Sequence, residues 1–319
     1  MTNYDLIIQA IYELGVDTVF VYPGHGIIPL LDRINMEESL RMIVCSCEQE
    51  TVIAADAYGR YKGAGVAIVT YGVGGLSTLN QVGNAVISRS PLWIISGRPS
   101  VKEKNGPFQW SSVGDTDAYL KTFRSIGCAA EEFTECANHL SSNLFRMISQ
   151  GEPFYMEIDP QTGLAETSLT ISITKPTVTQ NYYENRFSCW IIRQLVDFDL
   201  AGPLDLSSLP KEIYKSGDAY LTYDVGEASF AASQLVPHFE IPEQDILVPF
   251  PWATMGFAIP AAIGVAFATN KPVIAITGDG SLRLSMLSLS TITRYELPIK
   301  IILIDNDGFE TERVLSDAA

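Results

Sequence analysis

Two short polar clusters near the end of the sequence have residue types that could hold a metal and a phosphate. Gly278-Asp-Gly-Ser281 closes the apolar run 273–277, and Asp305-Asn-Asp-Gly308 closes a second apolar run, 299–304. One amphipathic segment separates them, so the stretch reads as strand, helix, parallel strand. Both clusters then fall at the carboxyl ends of neighbouring parallel strands, where open α/β sheets bind ligands. A carboxylate from Asp279, an amide oxygen from Asn306 and the carbonyl of Gly308 would form a hard oxygen site. Mg²⁺ takes such a site when it also carries a diphosphate, and the helix that Ser281 opens offers backbone amides to the phosphate oxygens.

The first half of the chain must supply whatever else such a site needs. Leu6, Ile7, Ala10, Ile11 and Leu14 give helical periodicity over 4–14, and Gly15 stops it. A short strand at 17–22 runs into the tight turn Pro23-Gly-His-Gly26, followed by a helix to Ile34. A strand at 42–45 runs into a helix over 48–60. The strand 65–70 is apolar throughout and ends in the glycine-rich turn 71–75. A helix over 76–88 and a strand at 92–96 complete the series. Beyond a polar stretch at 98–117, the pattern predicts helices near 116–125 and 134–150, a closing strand at 154–158, linker character over 160–185 and a short helix near 189–196. A further strand begins near 220–224. The class is therefore α/β, with strands and helices alternating so that each parallel sheet is flanked by helices on both faces.

Composition bounds the partners. At 319 residues, with 47% hydrophobic and 18% charged, the chain has enough apolar sequence for two cores. A formal charge of −16 argues against a nucleic-acid partner, which needs clustered Lys and Arg. No apolar run is long enough to span a bilayer, and the first residues lack the basic start and apolar centre of a signal peptide. Five cysteines without paired spacing and three histidines suit a reducing cytoplasm and argue against zinc. A nicotinamide-binding domain is disfavoured, because Gly72-Val-Gly-Gly75 lacks the GxGxxG spacing.

The motifs resemble the thiamine diphosphate-dependent enzymes of the pyruvate decarboxylase and acetolactate synthase group. Tyr22-Pro-Gly24, Cys47-Glu-Gln49 with Ala54-Ala-Asp-Ala-Tyr58, and Thr70-Tyr-Gly-Val-Gly-Gly75 look like that family's pyrimidine-binding domain. Thr254-Met-Gly-Phe257 and the 278–308 stretch look like its diphosphate-binding domain. The resemblance implies two thiamine diphosphate-binding-like domains: 1–175 for the pyrimidine, 216–319 for diphosphate and Mg²⁺, and a linker over 176–215. Full-length relatives carry a central domain that this linker is too short to hold, and the last domain stops soon after its metal loop. The resemblance thus implies a reduced, rearranged or partial protein, or one whose partner completes the sheet.

Roles follow from the same resemblance, position by position. Glu48 would bond the pyrimidine ring nitrogen so that the cofactor's amino group becomes a base; its plainer alternative is a carboxylate favouring a helix N-terminus. Glu50, two residues on, would point elsewhere. Pro23, Gly24, Thr70 and Gly72 would line the pyrimidine pocket. Met255 would support the bent cofactor from below, and the Ala253 carbonyl would accept from the amino group. Gly278, Asp279, Gly280 and Ser281 would meet the diphosphate, while Asp279, Asn306 and Gly308 would hold Mg²⁺. Asp305 departs from the family's common Asn but is not an expected ligand. His25 stands where simple decarboxylases carry an acid and acetolactate synthases a glycine; it resembles the proton shuttle of benzaldehyde lyase-like members. A turn histidine bonded to backbone is the alternative. Glu312 matches an active-site carboxylate of the decarboxylases, or is a solvated charge beside Arg313. Phe108-Gln-Trp-Ser-Ser112 replaces the histidine pair of pyruvate decarboxylases, which counts against a plain pyruvate decarboxylase. The implied activity is decarboxylation of a 2-oxo acid, with aldehyde release or carboligation. The site would lie between subunits of a homodimer or homotetramer. A non-catalytic cofactor-binding or regulatory subunit that needs a partner chain is the alternative.

Overall fold

A computed structural model describes residues 1–99, 117–134, 136–174, 219–239 and 241–306, with 115 and 308 singly. The histidine-replacing segment 108–112, the expected helix near 189–196 and Glu312 lie outside the described residues. The chain divides into two compact units, Met1–Tyr183 and Glu184–Ala319. Both are α/β, and every strand pairing within their two sheets is parallel. No helix among the described residues is long and apolar enough to cross a membrane.

The first unit runs α1 (Asn3–Glu13), β1 (Thr18–Val21), α2 (Ile28–Ile34), β2 (Arg41–Val44), α3 (Glu48–Lys62), β3 (Gly65–Val69), α4 (Val73–Ser77), α5 (Leu79–Ile87) and β4 (Leu92–Gly97). It continues through α6 (Ala118–Ser125), β5 (Ala129–Glu132), α7 (Ala137–Gln150), β6 (Phe154–Ile158) and α8 (Pro160–Leu164). The sheet order is β2-β1-β3-β4-β6-β5. Strands β1, β3 and β4 are buried along their whole length, as central parallel strands covered on both faces must be. Because β2 lies on one side of β1 and β3 on the other, the connections diverge between β1 and β3. That divergence opens a crevice at the carboxyl ends of these two strands.

Aromatic packing fixes β6 beside β4. Trp93 of β4 stacks on Phe154 with centroids 6.4 Å apart, and Phe123 of α6 stacks on Tyr155 at 3.8 Å. Such pairs add about 0.5–1.5 kcal/mol each beyond the area they bury. The register they hold sets Ser96 opposite Glu157, which puts a buried carboxylate next to the strand end where Arg98 leaves β4.

The second unit runs β7 (Tyr220–Tyr223), α9 (Glu227–Phe239), β8 (Ile246–Leu247), α10 (Ala258–Thr269), β9 (Val273–Gly278), α11 (Asp279–Ser285), α12 (Ser288–Arg294) and β10 (Ile299–Ile304). Its order is β10-β9-β7-β8, so β8-β7-β9-β10 repeats the pattern of β2-β1-β3-β4. Leu221, Tyr223, Ile246, Ile274, Ile276 and Ile302 form its core. Helix α10 is small-residue-rich and buried on every side from Ala258 to Ala268. It lies against β7 and β9 in the sheet, where a longer side chain on each face would not be accommodated.

Several expectations change in detail. The helix expected over 76–88 begins instead at Val73, within the glycine-rich turn, and breaks at Thr78. There the buried Thr78 hydroxyl donates to the Gly75 carbonyl at 2.6 Å and ends α4. The single amphipathic run before β10 is two short helices, α11 and α12. Strand β5 has no alternating apolar pattern and was not expected; pairing with β6 alone creates it. Residues 160–174 are not free linker. Asp159 caps α8, Thr2 bridges Glu166, and Ile171 and Ile173 are buried.

Candidate functional site

Each unit carries a cluster at the diverging strands of its own sheet. In the first unit, three strand ends contribute. Pro23-Gly-His-Gly26 follows β1, Glu48 opens α3 after β2, and Thr70–Gly75 follows β3. The Thr70 hydroxyl donates to the His25 carbonyl at 2.6 Å, tying the β1 turn to the β3 turn across the crevice. Gly24 comes so close to Thr70 that a Cβ there would lie 2.6 Å from Thr70 Cβ. A Cβ on Gly74 would lie 2.6 Å from Thr70 Cγ2 and 3.5 Å from Glu48 Oε1. Gly24, His25, Glu48, Thr70 and Gly74 are therefore neighbours around one point, with Gly72 (φ 62°) making the bend between them.

The two candidate carboxylates of α3 separate as their helical offset requires. Glu48 is half-buried beside Gly74, whereas Glu50 is 1% exposed and lies with Cys45, whose thiol burial pushes well up with Glu50 adding to the effect. His25 is exposed, with its ring edge-on to Tyr71 at 6.4 Å; Pro23 is exposed as well.

Thr70 is the common wall of this pocket, which gives a specific expectation. Gly74→Ala should strain the pocket, costing about 1–3 kcal/mol as overpacked sites do. Adding Thr70→Ser removes the methyl it strikes while keeping the hydroxyl that bonds His25. The double variant should recover most of the loss in thermal denaturation. An equal loss in both variants would show that Thr70 is not what Gly74 avoids.

In the second unit, Gly278 pairs opposite Ile304. Asp279 and Asn306 therefore both lie just past the carboxyl ends of adjacent strands β9 and β10. The Asp279 side chain is 12% exposed, and its carboxylate pairs with Arg283 Nη2 at 3.2 Å on the same helix. Arg283 is itself 70% exposed and free to swing away. Helix α11 opens at Asp279 and not at Ser281, which is its third residue and buried. Gly280 and Asn306 are half-buried, and Gly308 has φ 149°. The expected donor set is one carboxylate, one amide and one carbonyl; no group of three or more His, Cys, Asp or Glu suited to a metal occurs among the described residues. So lightly charged an oxygen set suits a Mg²⁺ that brings phosphate oxygens of its own.

The turn 253–257 borders the same helix. Ala253 (φ 65°) is exposed and Met255 half-buried. Gly256 (φ 74°) approaches α11 closely enough that a Cβ would lie 3.0 Å from Leu284 Cβ and 3.5 Å from the Ser281 carbonyl. Thr254 is buried, and its hydroxyl has no hydrogen-bond partner among the described residues. The Met255 turn and the Asp279 helix thus touch.

Two buried charge centres escaped sequence reasoning. Asp224, at the end of β7, is fully buried and accepts from the Phe257 amide at 2.7 Å and the Thr277 hydroxyl at 2.8 Å. The only signal was a lone carboxylate ending the apolar strand 220–223. Arg98, 3% exposed, donates to Glu157 at 2.6 Å and also reaches Asp117 at 3.0 Å and Glu132 at 3.1 Å. Burial raises the Glu157 carboxyl above its ordinary value, against the opposing pull of Arg98. The Tyr155 hydroxyl donates to the other Glu157 oxygen at 3.2 Å, and a Cβ on Gly75 would lie 2.6 Å from that hydroxyl.

Residues 1–118 match the family described as thiamine pyrophosphate enzyme, N-terminal TPP binding domain. Residues 224–318 match the corresponding C-terminal TPP binding domain. Among curated proteins, the chain is 30% identical over 156 residues to pyruvate decarboxylase 2 of Arabidopsis thaliana, covering 47% of this chain and 26% of that protein. It is likewise 30% identical over 156 residues to pyruvate decarboxylase 1 of Pisum sativum, with 47% and 26% covered. Pyruvate decarboxylase 3 of Oryza sativa subsp. indica is 29% identical over 156 residues, with 47% and 27% covered. The chain spans about a quarter of the length of the curated relatives it matches.

Proposed function

The chain belongs to the thiamine pyrophosphate enzyme family, and we propose that it uses thiamine diphosphate and Mg²⁺ to decarboxylate a 2-oxo acid, with aldehyde release or carboligation. The observation that carries this reading is the Glu48 carboxylate set beside Gly74 and Thr70, where the connections of the first sheet diverge. When bound, thiamine diphosphate supplies the electron sink for loss of CO₂. Glu48 holds the pyrimidine ring nitrogen, and Pro23, Gly24, Thr70 and Gly72 line that ring. Met255 supports the cofactor, the Ala253 carbonyl accepts from its amino group, and Asp279, Asn306 and Gly308 hold Mg²⁺. Gly278, Gly280 and Ser281 receive the diphosphate. His25, exposed at the mouth of the first cluster, moves a proton to or from substrate, with Glu312 as a second acid.

On this reading residues 1–175 are the pyrimidine half, 216–319 the diphosphate half and 176–215 their linker. Two copies of the chain complete each site in a cytoplasmic homodimer or homotetramer. Because the relatives named above are pyruvate decarboxylases, pyruvate is the first acid to test; branched, aromatic and sulfonated 2-oxo acids complete the panel. Incubation with thiamine diphosphate and Mg²⁺ should yield CO₂ with an aldehyde or an acyloin from at least one acid. Cofactor binding without product from any of them would sink the catalytic reading and favour a cofactor-binding subunit that works with another chain.

A further inference from the structure

The roles proposed above concern groups that would meet cofactor or substrate, yet the two diphosphate-side segments must also be held in register with each other. Met255 sits in the turn 253–257, and Asp279 opens α11 just past the end of β9. Asp224 lies between their supports. It ends β7, whose Thr222 and Tyr223 pair with Ala275 and Ile276 of β9, so the next position along faces Thr277. One carboxylate oxygen accepts from the Phe257 amide at 2.7 Å, two residues beyond Met255. The other accepts from the Thr277 hydroxyl at 2.8 Å, two residues before Asp279. Thr222 donates to the Ala258 carbonyl at 2.8 Å, pinning the start of α10 to the same strand.

We propose that Asp224 is a positioning residue that couples the Met255 turn to the Gly278–Asp279 loop, so that the apolar support and the metal carboxylate move as one body. The proposal rests on the functional reading of Met255 and Asp279 given above. The side chain is 0% exposed. Burial outweighs the opposing hydrogen bonds from the Thr277 hydroxyl and the amides of Phe257, Ala258 and Gly256, and leaves its carboxyl raised to about 6. Its two carboxyl oxygens accept from donors of both segments, and hydrogen bonds to a carboxylate are the strong ones. The first unit also has a threonine hydroxyl at a strand end that ties a neighbouring turn. There Thr70, just after the third strand of the pattern, ties the turn that follows the first strand.

Asp224→Ala, Asp224→Asn and Thr277→Val test the coupling, the last two being near-isosteric and expected to fold. In hydrogen exchange on the full chain, amides of 255–258 and of 278–281 should speed up together, by ~10-fold or more, while β9 and β10 interior amides stay protected. Mg²⁺-supported binding of thiamine diphosphate, followed by calorimetry, should weaken by ~10-fold in Asp224→Ala and less in Thr277→Val. Faster exchange in one segment alone, or throughout the unit, would overturn the coupling. So would unchanged cofactor affinity in Asp224→Ala. If the unaltered chain bound no thiamine diphosphate, the functional reading would fail, and exchange would still decide whether Asp224 joins the two segments.

Discussion

Glu48→Gln should abolish most 2-oxo acid turnover, lowering kcat/KM by ~10²–10⁴-fold, the range for losing one proton-handling group. The amide keeps the size of the carboxylate and its place beside Gly74, so the melting temperature should not fall. Removing a helix-opening charge costs only a few tenths of a kcal/mol. Cofactor affinity should change far less than turnover, because the proposed Mg²⁺ and diphosphate contacts belong to the other unit. Glu50→Gln is the control. That carboxylate is buried with Cys45, away from Gly74, so its loss should be read in stability and leave turnover per folded molecule close to the original. Equal turnover in Glu48→Gln and the unaltered chain, for every acid that reacts, would remove the proposed role.

Arg98→Met should be the most damaging structural change. Glu157, 2% exposed, would keep its burial and lose its ion-pair partner, and removing one member of a buried pair typically costs about 3–5 kcal/mol. Asp117 and Glu132 are half-exposed and can turn to water, so Glu157 carries most of the cost. The pH dependence has a definite sign. The Glu157 carboxyl already lies above its ordinary 4.5 in the folded protein, and loss of Arg98 raises it further. Such a group favours the fold while protonated, and that advantage is lost as pH rises through its folded value. The deficit of Arg98→Met should therefore be largest near pH 7 and shrink as pH falls toward 4.5. Chemical denaturation at several pH values, with hydrogen exchange on β4 and β6 peptides, measures it. A deficit that stays constant with pH would assign the cost to lost packing of the Arg98 side chain. The pair also binds the start of α6 to the carboxyl end of β4, through Asp117. Arg98→Met should thus loosen that edge of the sheet before its centre, which Trp93 and Phe154 hold.

Much of this protein is legible in its residue order, because the relevant signals are local. Apolar β-branched runs at 65–69, 92–97 and 273–278 specify buried parallel strands, and the run 299–304 specifies a partly exposed one. Glycine-rich ends mark where backbone comes close to a ligand or neighbour. From these come the α/β class and the placement of Glu48, Thr70, Asp279 and Asn306 at strand ends. Boundaries within glycine- and serine-rich stretches were less legible. The break at Thr78 depends on a hydroxyl choosing the Gly75 carbonyl, and β5, which has no apolar pattern of its own, depends on its pairing with β6.

What tertiary structure alone decided is which of these groups meet and at what electrostatic cost. The Thr70 hydroxyl reaches His25 across 45 positions, Asp224 meets Thr277 across 53, and Arg98 meets Glu157 across 59. No window of sequence holds both members of such a pair. A carboxylate reads the same in sequence whether it is solvated, like many on this acidic surface, or buried against donors. Its charge state and its role are set by the desolvation and the partners that folding brings from distant strands. Residue types and spacing determined the possible chemistry and the strand ends that carry it. The packing of one strand end against another decided that Glu48, and not Glu50, lies beside Gly74, and that Asp224 stands behind both the Met255 turn and Asp279.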